Sequence, residues 1–122
     1  QVDFGNQRLW CAGAIAAAYS EAGGESIYFG KPHKPIYDLA ISKLQEINSS
    51  IYESDIICIG DGISTDILGG SICGLDTLFV AGGLSAKETG VMKNARTPDE
   101  KKLLDFLKKF NLTPTASIGY LQ

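Results

Sequence analysis

The apolar and polar positions of the chain alternate between two periodicities, and the most informative switch lies in its middle. Ile56 to Ile59 is an unbroken apolar run rich in β-branched residues, the pattern of a strand covered on both faces. Glycines at 60 and 62 bracket Asp61, and a helical pattern through Ile67, Leu68 and Ile72 follows, with Ser64 or Thr65 as its cap and Asp66 in its first turn. Gln1 to Leu9 is polar and carries no clear period. Trp10 to Gly23 is alanine-rich and predicts a close-packing helix ended by Gly23-Gly24, followed by a short strand over Glu25 to Phe29. Beyond the breaker Gly30-Lys31-Pro32-His33-Lys34-Pro35, a second helix presents Ile36, Leu39, Ala40, Leu44 and Ile47, with Lys43 snorkelling at the stripe's edge.

Asp76 to Val80 predicts the next strand, ended by Ala81-Gly82-Gly83. Ser85 to Met92 is expected as a short helix. Pro98 to Phe110 predicts a longer one with Leu103, Leu104, Leu107 and Phe110 on one face, and Ala116 to Leu121 an edge strand. Strands alternating with helices argue for an α/β fold: a Rossmann-like parallel sheet with helices on both faces.

Composition narrows the classes. The 122 residues carry a net charge of −3 and no cluster of Lys and Arg, so neither nucleic acid nor a membrane surface is an expected partner. No apolar run is long enough to span a bilayer. Cys11, Cys58 and Cys73 are odd in number and lack metal-like spacing; free thiols in a reducing cytoplasm are expected. The chain opens at Gln1 rather than Met, and a piece of a longer protein is expected.

Three positions carry candidate chemistry. Asp61, at the carboxyl end of a buried strand, sits where open α/β sheets gather their ligands. It reads as an Asx-type turn residue, or as a ligand for a hard cation such as Mg²⁺, which prefers oxygen donors and retains water. A dinucleotide loop fits less well, because a carboxylate in the turn repels pyrophosphate and no third glycine follows at the right spacing. Lys31 reads as a solvated surface charge, or as a cation held by Gly30 and Pro32 to balance a phosphate at the pole of Asp61. His33 reads as a turn residue, or as a phosphate contact or general acid.

Gly30-Lys31-Pro32-His33-x-Pro35-Ile36-Tyr37, then Ile59-Gly60-Asp61-Gly62-x-x-Thr65-Asp66-Ile67-x-Gly69-Gly70, then Gly74-x-Asp76-Thr77, resembles the haloacid dehalogenase (HAD) superfamily of hydrolases. The likeness is strongest to class IIA, the phosphatases related to p-nitrophenyl phosphatase and NagD. Cys11-Ala12-Gly13-Ala14 with Gly23-Gly24 also resembles the last helix of the class IIA cap. The resemblance implies residues 1–29 as the end of a cap domain and 30–122 as the C-terminal half of the hydrolase core.

It further implies Lys31 as the lysine that steadies nucleophile and phosphate, Asp61 as a Mg²⁺ ligand, and Asp66 as an outer-shell acid. The implied reaction is aspartate attack on a small phosphate ester, followed by hydrolysis of the aspartyl phosphate. That family carries its nucleophile and acid/base in an upstream Asp-x-Asp-Gly, and no Asp-x-Asp occurs in this chain. Inactivity of the chain alone is therefore expected, and homo-oligomerisation of a full-length protein is left open. The alternative is a non-catalytic module that binds a phosphorylated ligand or a partner protein through the same pole.

Overall fold

In the computed structural model, which describes residues 2–4, 7–93 and 95–121, three strands form a parallel sheet. They are β3 (Ile57–Gly60), β4 (Asp76–Val80) and β5 (Ala116–Ile118), in the spatial order β3-β4-β5. Cys58 lies opposite Thr77 and Gly60 opposite Phe79, while Phe79 lies opposite Ser117. Ahead of the sheet, β1 (Val2–Phe4) and β2 (Gln7–Leu9) make a small antiparallel pair that the aperiodic sequence there does not signal. Among the described residues there are four α-helices: α1 (Ala12–Glu21), α2 (Lys34–Ile47), α3 (Leu68–Ile72) and α4 (Glu100–Phe110). The Rossmann-like α/β class read from the sequence holds.

The core occupies one face of the sheet. Thr77 and Phe79 are buried there, with Phe79 closed in by Ile63, Ile67, Ala81 and Phe106. The rings of Phe79 and Phe106 stack with centroids 5.8 Å apart, which fixes α4 over β4. α3 approaches the same face through Gly70, where a Cβ would press on Thr77 and Cys58. Ile57 and Ile59 belong to the opposite face and are 48% and 51% exposed. The expectation that β3 is covered on both faces is therefore corrected: among the described residues, α3 and α4 lie on one side only.

Four further expectations change. Glu25 to Phe29 forms no strand, since no neighbouring chain supplies ladder hydrogen bonds among the described residues. Ser85 to Met92 forms turns instead of a helix; Thr89 reaches back to Ser85, and Gly90, at φ +67°, ends the run after one turn. The stripe on α2 is shifted by one position. Tyr37 is its buried residue, with Ile41 and Leu44 half-buried, whereas Leu39 and Ile47 are exposed and Lys43 pairs with Glu46 at 2.8 Å. On α4, Phe106 takes the buried place, flanked by Leu103 and Leu107, while Leu104 is half exposed.

Candidate functional site

Asp61 follows directly on Gly60, the last residue of β3, so its carboxylate stands at the carboxyl end of the sheet. The chain then widens into a π-helical turn, Ile63–Ile67, in which the Gly62 carbonyl accepts from the amides of Thr65, Asp66 and Ile67. Neither Ser64 nor Thr65 caps this turn through its side chain. Asp66 does so instead, its Oδ2 accepting from the Gly62 amide at 3.0 Å. The glycines make this possible, because a Cβ on Gly60 would collide with the Asp66 carboxylate. π-turns are rare and concentrate at functional sites.

The other oxygen of Asp66, Oδ1, accepts from Lys31 Nζ at 2.5 Å. Lys31 reaches it from the turn that precedes α2, where the His33 amide donates to the Gly30 carbonyl at 3.0 Å and the Lys31–Pro32 peptide is cis. The lysine side chain is 54% exposed and the aspartate 13%. Solvent screening keeps the stabilising value of such a pair small. Its consequence is placement: both Asp66 oxygens are occupied, and the Lys31 ammonium is held against the turn that starts at Asp61.

Asp61 has a partner from a different element. Its Oδ2 accepts from the Leu84 amide at 3.0 Å, in the loop after β4. Gly83 lies flush against it, and a Cβ there would overlap the carboxyl group. The structure thus brings Lys31 and Asp66 into direct contact and links Asp61 to them through Gly62. His33 makes different contacts. Its ring stacks on Tyr28 with centroids 4.9 Å apart, in the wall of a cavity of about 370 Å³ that α1 and Lys31 also line. A second cavity, about 240 Å³, lies between α2 and β3 and is bordered by Lys31, Tyr37 and Asp66.

Three contributors were given no role by the sequence. Tyr37 donates its hydroxyl to the carbonyls of Thr65, at 3.2 Å, and Asp66, at 3.4 Å. The Leu84 amide and the buried Thr89 shape the loop over Asp61. Only the Gly82-Gly83 pair marks that loop in the sequence, as a place where backbone approaches another group closely. Cys58 and Cys73 are free and half-buried, and burial pushes both thiols above their ordinary range. No described helix is long and apolar enough to cross a membrane.

A three-stranded parallel sheet with two acids and a lysine at its carboxyl pole is a Rossmann-like α/β scaffold. The family model described as HAD-hydrolase-like matches residues 28–106, and the chain belongs to that family, within its class IIA. It is 32% identical over 76 residues to the ribonucleotide monophosphatase NagD of Escherichia coli K12, covering 62% of this chain and 28% of that protein. To the glycerol-3-phosphate phosphatase of Gallus gallus it is 35% identical over 74 residues, 61% of this chain and 22% of that one. A haloacid dehalogenase-like hydrolase from Brucella suis 1330 superposes with a TM-score of 0.63 at 35% identity, over 93% of this chain and 38% of its own. The chain therefore spans less than two fifths of the length of each of these proteins.

Proposed function

We propose that this chain supplies the lysine-and-metal half of a Mg²⁺-dependent phosphatase site that hydrolyses a small phosphate ester through an aspartyl phosphate. The observation that carries the reading is the Lys31–Asp66 contact, joined through Gly62 to Asp61 at the carboxyl pole of β3. The phosphatase names of the relatives support it. In this reading residues 1–29 are the end of a cap, and residues 30–122 are the C-terminal half of the core.

The donor set suits Mg²⁺. Asp61 keeps Oδ1 without a protein donor among the described residues, and one or two carboxylates with several waters are the usual provision for this ion. No group of three or more His, Cys, Asp or Glu that could hold an ion is found among the described residues. Asp61 would hold the ion directly and Asp66, with both oxygens engaged, would act from the outer shell. Bound there, Mg²⁺ would neutralise charge on the phosphoryl group.

The protein's own part is electrostatic and positional. The Lys31 ammonium, fixed by Asp66, offers remaining N–H donors to a phosphoryl oxygen and offsets its negative charge. The nucleophile and the acid/base do not come from these residues, because no Asp-x-Asp pair occurs among them. That same fact favours the second reading, a non-catalytic module that binds a phosphorylated ligand or a partner protein.

The test is a Mg²⁺ titration followed by amide chemical shifts. Weak binding centred on residues 60–66 is expected, lost in Asp61→Ala and reduced in Asp66→Ala; perturbations centred elsewhere would overturn the metal assignment. Assay of the purified chain with p-nitrophenyl phosphate and Mg²⁺ is expected to show no turnover. Turnover abolished by mutating a residue within the chain would mean that the site is not divided in this way.

A further inference from the structure

The loop after β4 contains a buried hydroxyl that bonds to two carbonyls of the same loop. Thr89 is fully buried, and its Oγ1 lies 2.9 Å from the Ala81 carbonyl and 2.8 Å from the Ser85 carbonyl. Those two carbonyls are the ends of a five-residue arc, and the arc carries Gly83 and Leu84, the residues that meet Asp61. One end is tied to the sheet, since the Ala81 amide donates to the Ile118 carbonyl at 2.8 Å. Thr89 is itself anchored, its carbonyl accepting from the Asp99 amide at 3.1 Å at the start of α4. A single hydroxyl thus spans both ends of the arc and holds it against a fixed element.

We propose that Thr89 is a positioning residue for Asp61: by closing the Ala81–Ser85 arc it keeps the Leu84 amide on Asp61 Oδ2, leaving Oδ1 presented to the cation. The proposal rests on the reading of Asp61 as a Mg²⁺ ligand. Its physical content is preorganisation. A carboxylate on a short side chain turns freely unless a donor fixes one oxygen, and the donor here is a backbone amide whose own place depends on the arc. Gly83 completes the arrangement, because the arc closes on Asp61 only where no Cβ intervenes.

Thr89→Val keeps the shape and removes the donor. It is expected to weaken Mg²⁺ binding by roughly three- to tenfold, the range of one net hydrogen bond, and to reduce hydrogen-exchange protection of the Leu84 amide by a similar factor. Thr89→Ser is expected to restore both. Leu107→Ala serves as a control, since it thins the core beneath α4 and is expected to lower the urea midpoint with little change in Mg²⁺ affinity. Should the valine variant not fold, Gly83→Ala probes the same contact from the Asp61 side and is expected to weaken Mg²⁺ binding likewise.

Wild-type Mg²⁺ affinity and Leu84 protection in Thr89→Val would overturn the proposal, as would wild-type affinity in Gly83→Ala. If the unmodified chain binds no Mg²⁺ at residues 60–66, the metal reading fails by itself. Leu84 protection then still decides whether Thr89 holds the arc.

Discussion

The Tyr37 hydroxyl donates to two carbonyls of the π-turn while its ring fills the space that Gly69 leaves open. Burial, helped by the nearby Cys58, Asp66 and Cys73, pushes the phenol from 10.0 up to about 12. The folded state therefore retains this proton where the unfolded chain releases it. Stability should fall as pH rises from the ordinary tyrosine range through the folded value. Tyr37→Phe is expected to flatten that alkaline loss, read as the urea midpoint between pH 9 and 12 (on the order of the two pKa values concerned). At neutral pH the same variant should cost about 1 kcal/mol, one net hydrogen bond. An unchanged alkaline slope would assign the loss to other groups. The contrast with Asp61 explains what a sequence can reveal at this scale. Gly60-Asp61-Gly62 is legible because its turn is local, and Lys31 because Gly30 and Pro32 flank it. Tyr37, Leu84 and Thr89 act through backbone groups or over long sequence separations, and such contacts leave no pattern in residue type.

Among the elements, α4 shows how caps and packing divide the work. Pro98 precedes the helix, and Asp99 caps it, its carboxylate accepting from the Lys102 amide at 2.9 Å. Lys108 and Lys109 sit in the last turn, where cations oppose the helix dipole, and Asn111 closes it in the left-handed conformation at φ 52°. Asp99→Ala should cost about 1 kcal/mol in urea unfolding, and Asp99→Asn much less, because the amide oxygen can still accept. Equal losses in the two variants would point to the charge instead of the cap. The helix stripes were legible as stripes but not in phase. Large apolar residues occupy neighbouring positions on α2 (Ile36, Tyr37) and on α4 (Leu103, Leu104), so periodicity alone allows two faces. Tertiary contact chooses between them: Gly69 receives Tyr37, and Phe79 receives Phe106.

For the molecule as a whole, the uneven cover of the sheet is the dominant physical fact. Leu78 and Val80 share a face with Ile57 and Ile59, and none of the four is buried, although the alternate positions Thr77 and Phe79 are. β3 is also an edge: among the described residues it pairs with β4 alone, so its outer amides and carbonyls are open to another strand. On its other side β4 is joined to β5, and Thr77 and Thr115 extend that junction by exchanging amide-to-hydroxyl bonds of 3.1 and 3.3 Å. An apolar face adjoining an unpaired edge favours association with whatever strand or surface is available, including a second copy. The isolated chain is therefore expected to show concentration-dependent self-association in sedimentation velocity. The double variant Ile57→Lys, Ile59→Lys should shift it toward monomer, because charge on that face opposes both burial and edge pairing. Helical signal in far-ultraviolet circular dichroism should persist in the variant, since neither side chain reaches the Phe79 core. A wild-type chain that stays monomeric across the accessible concentration range would show that this face is satisfied within the chain itself.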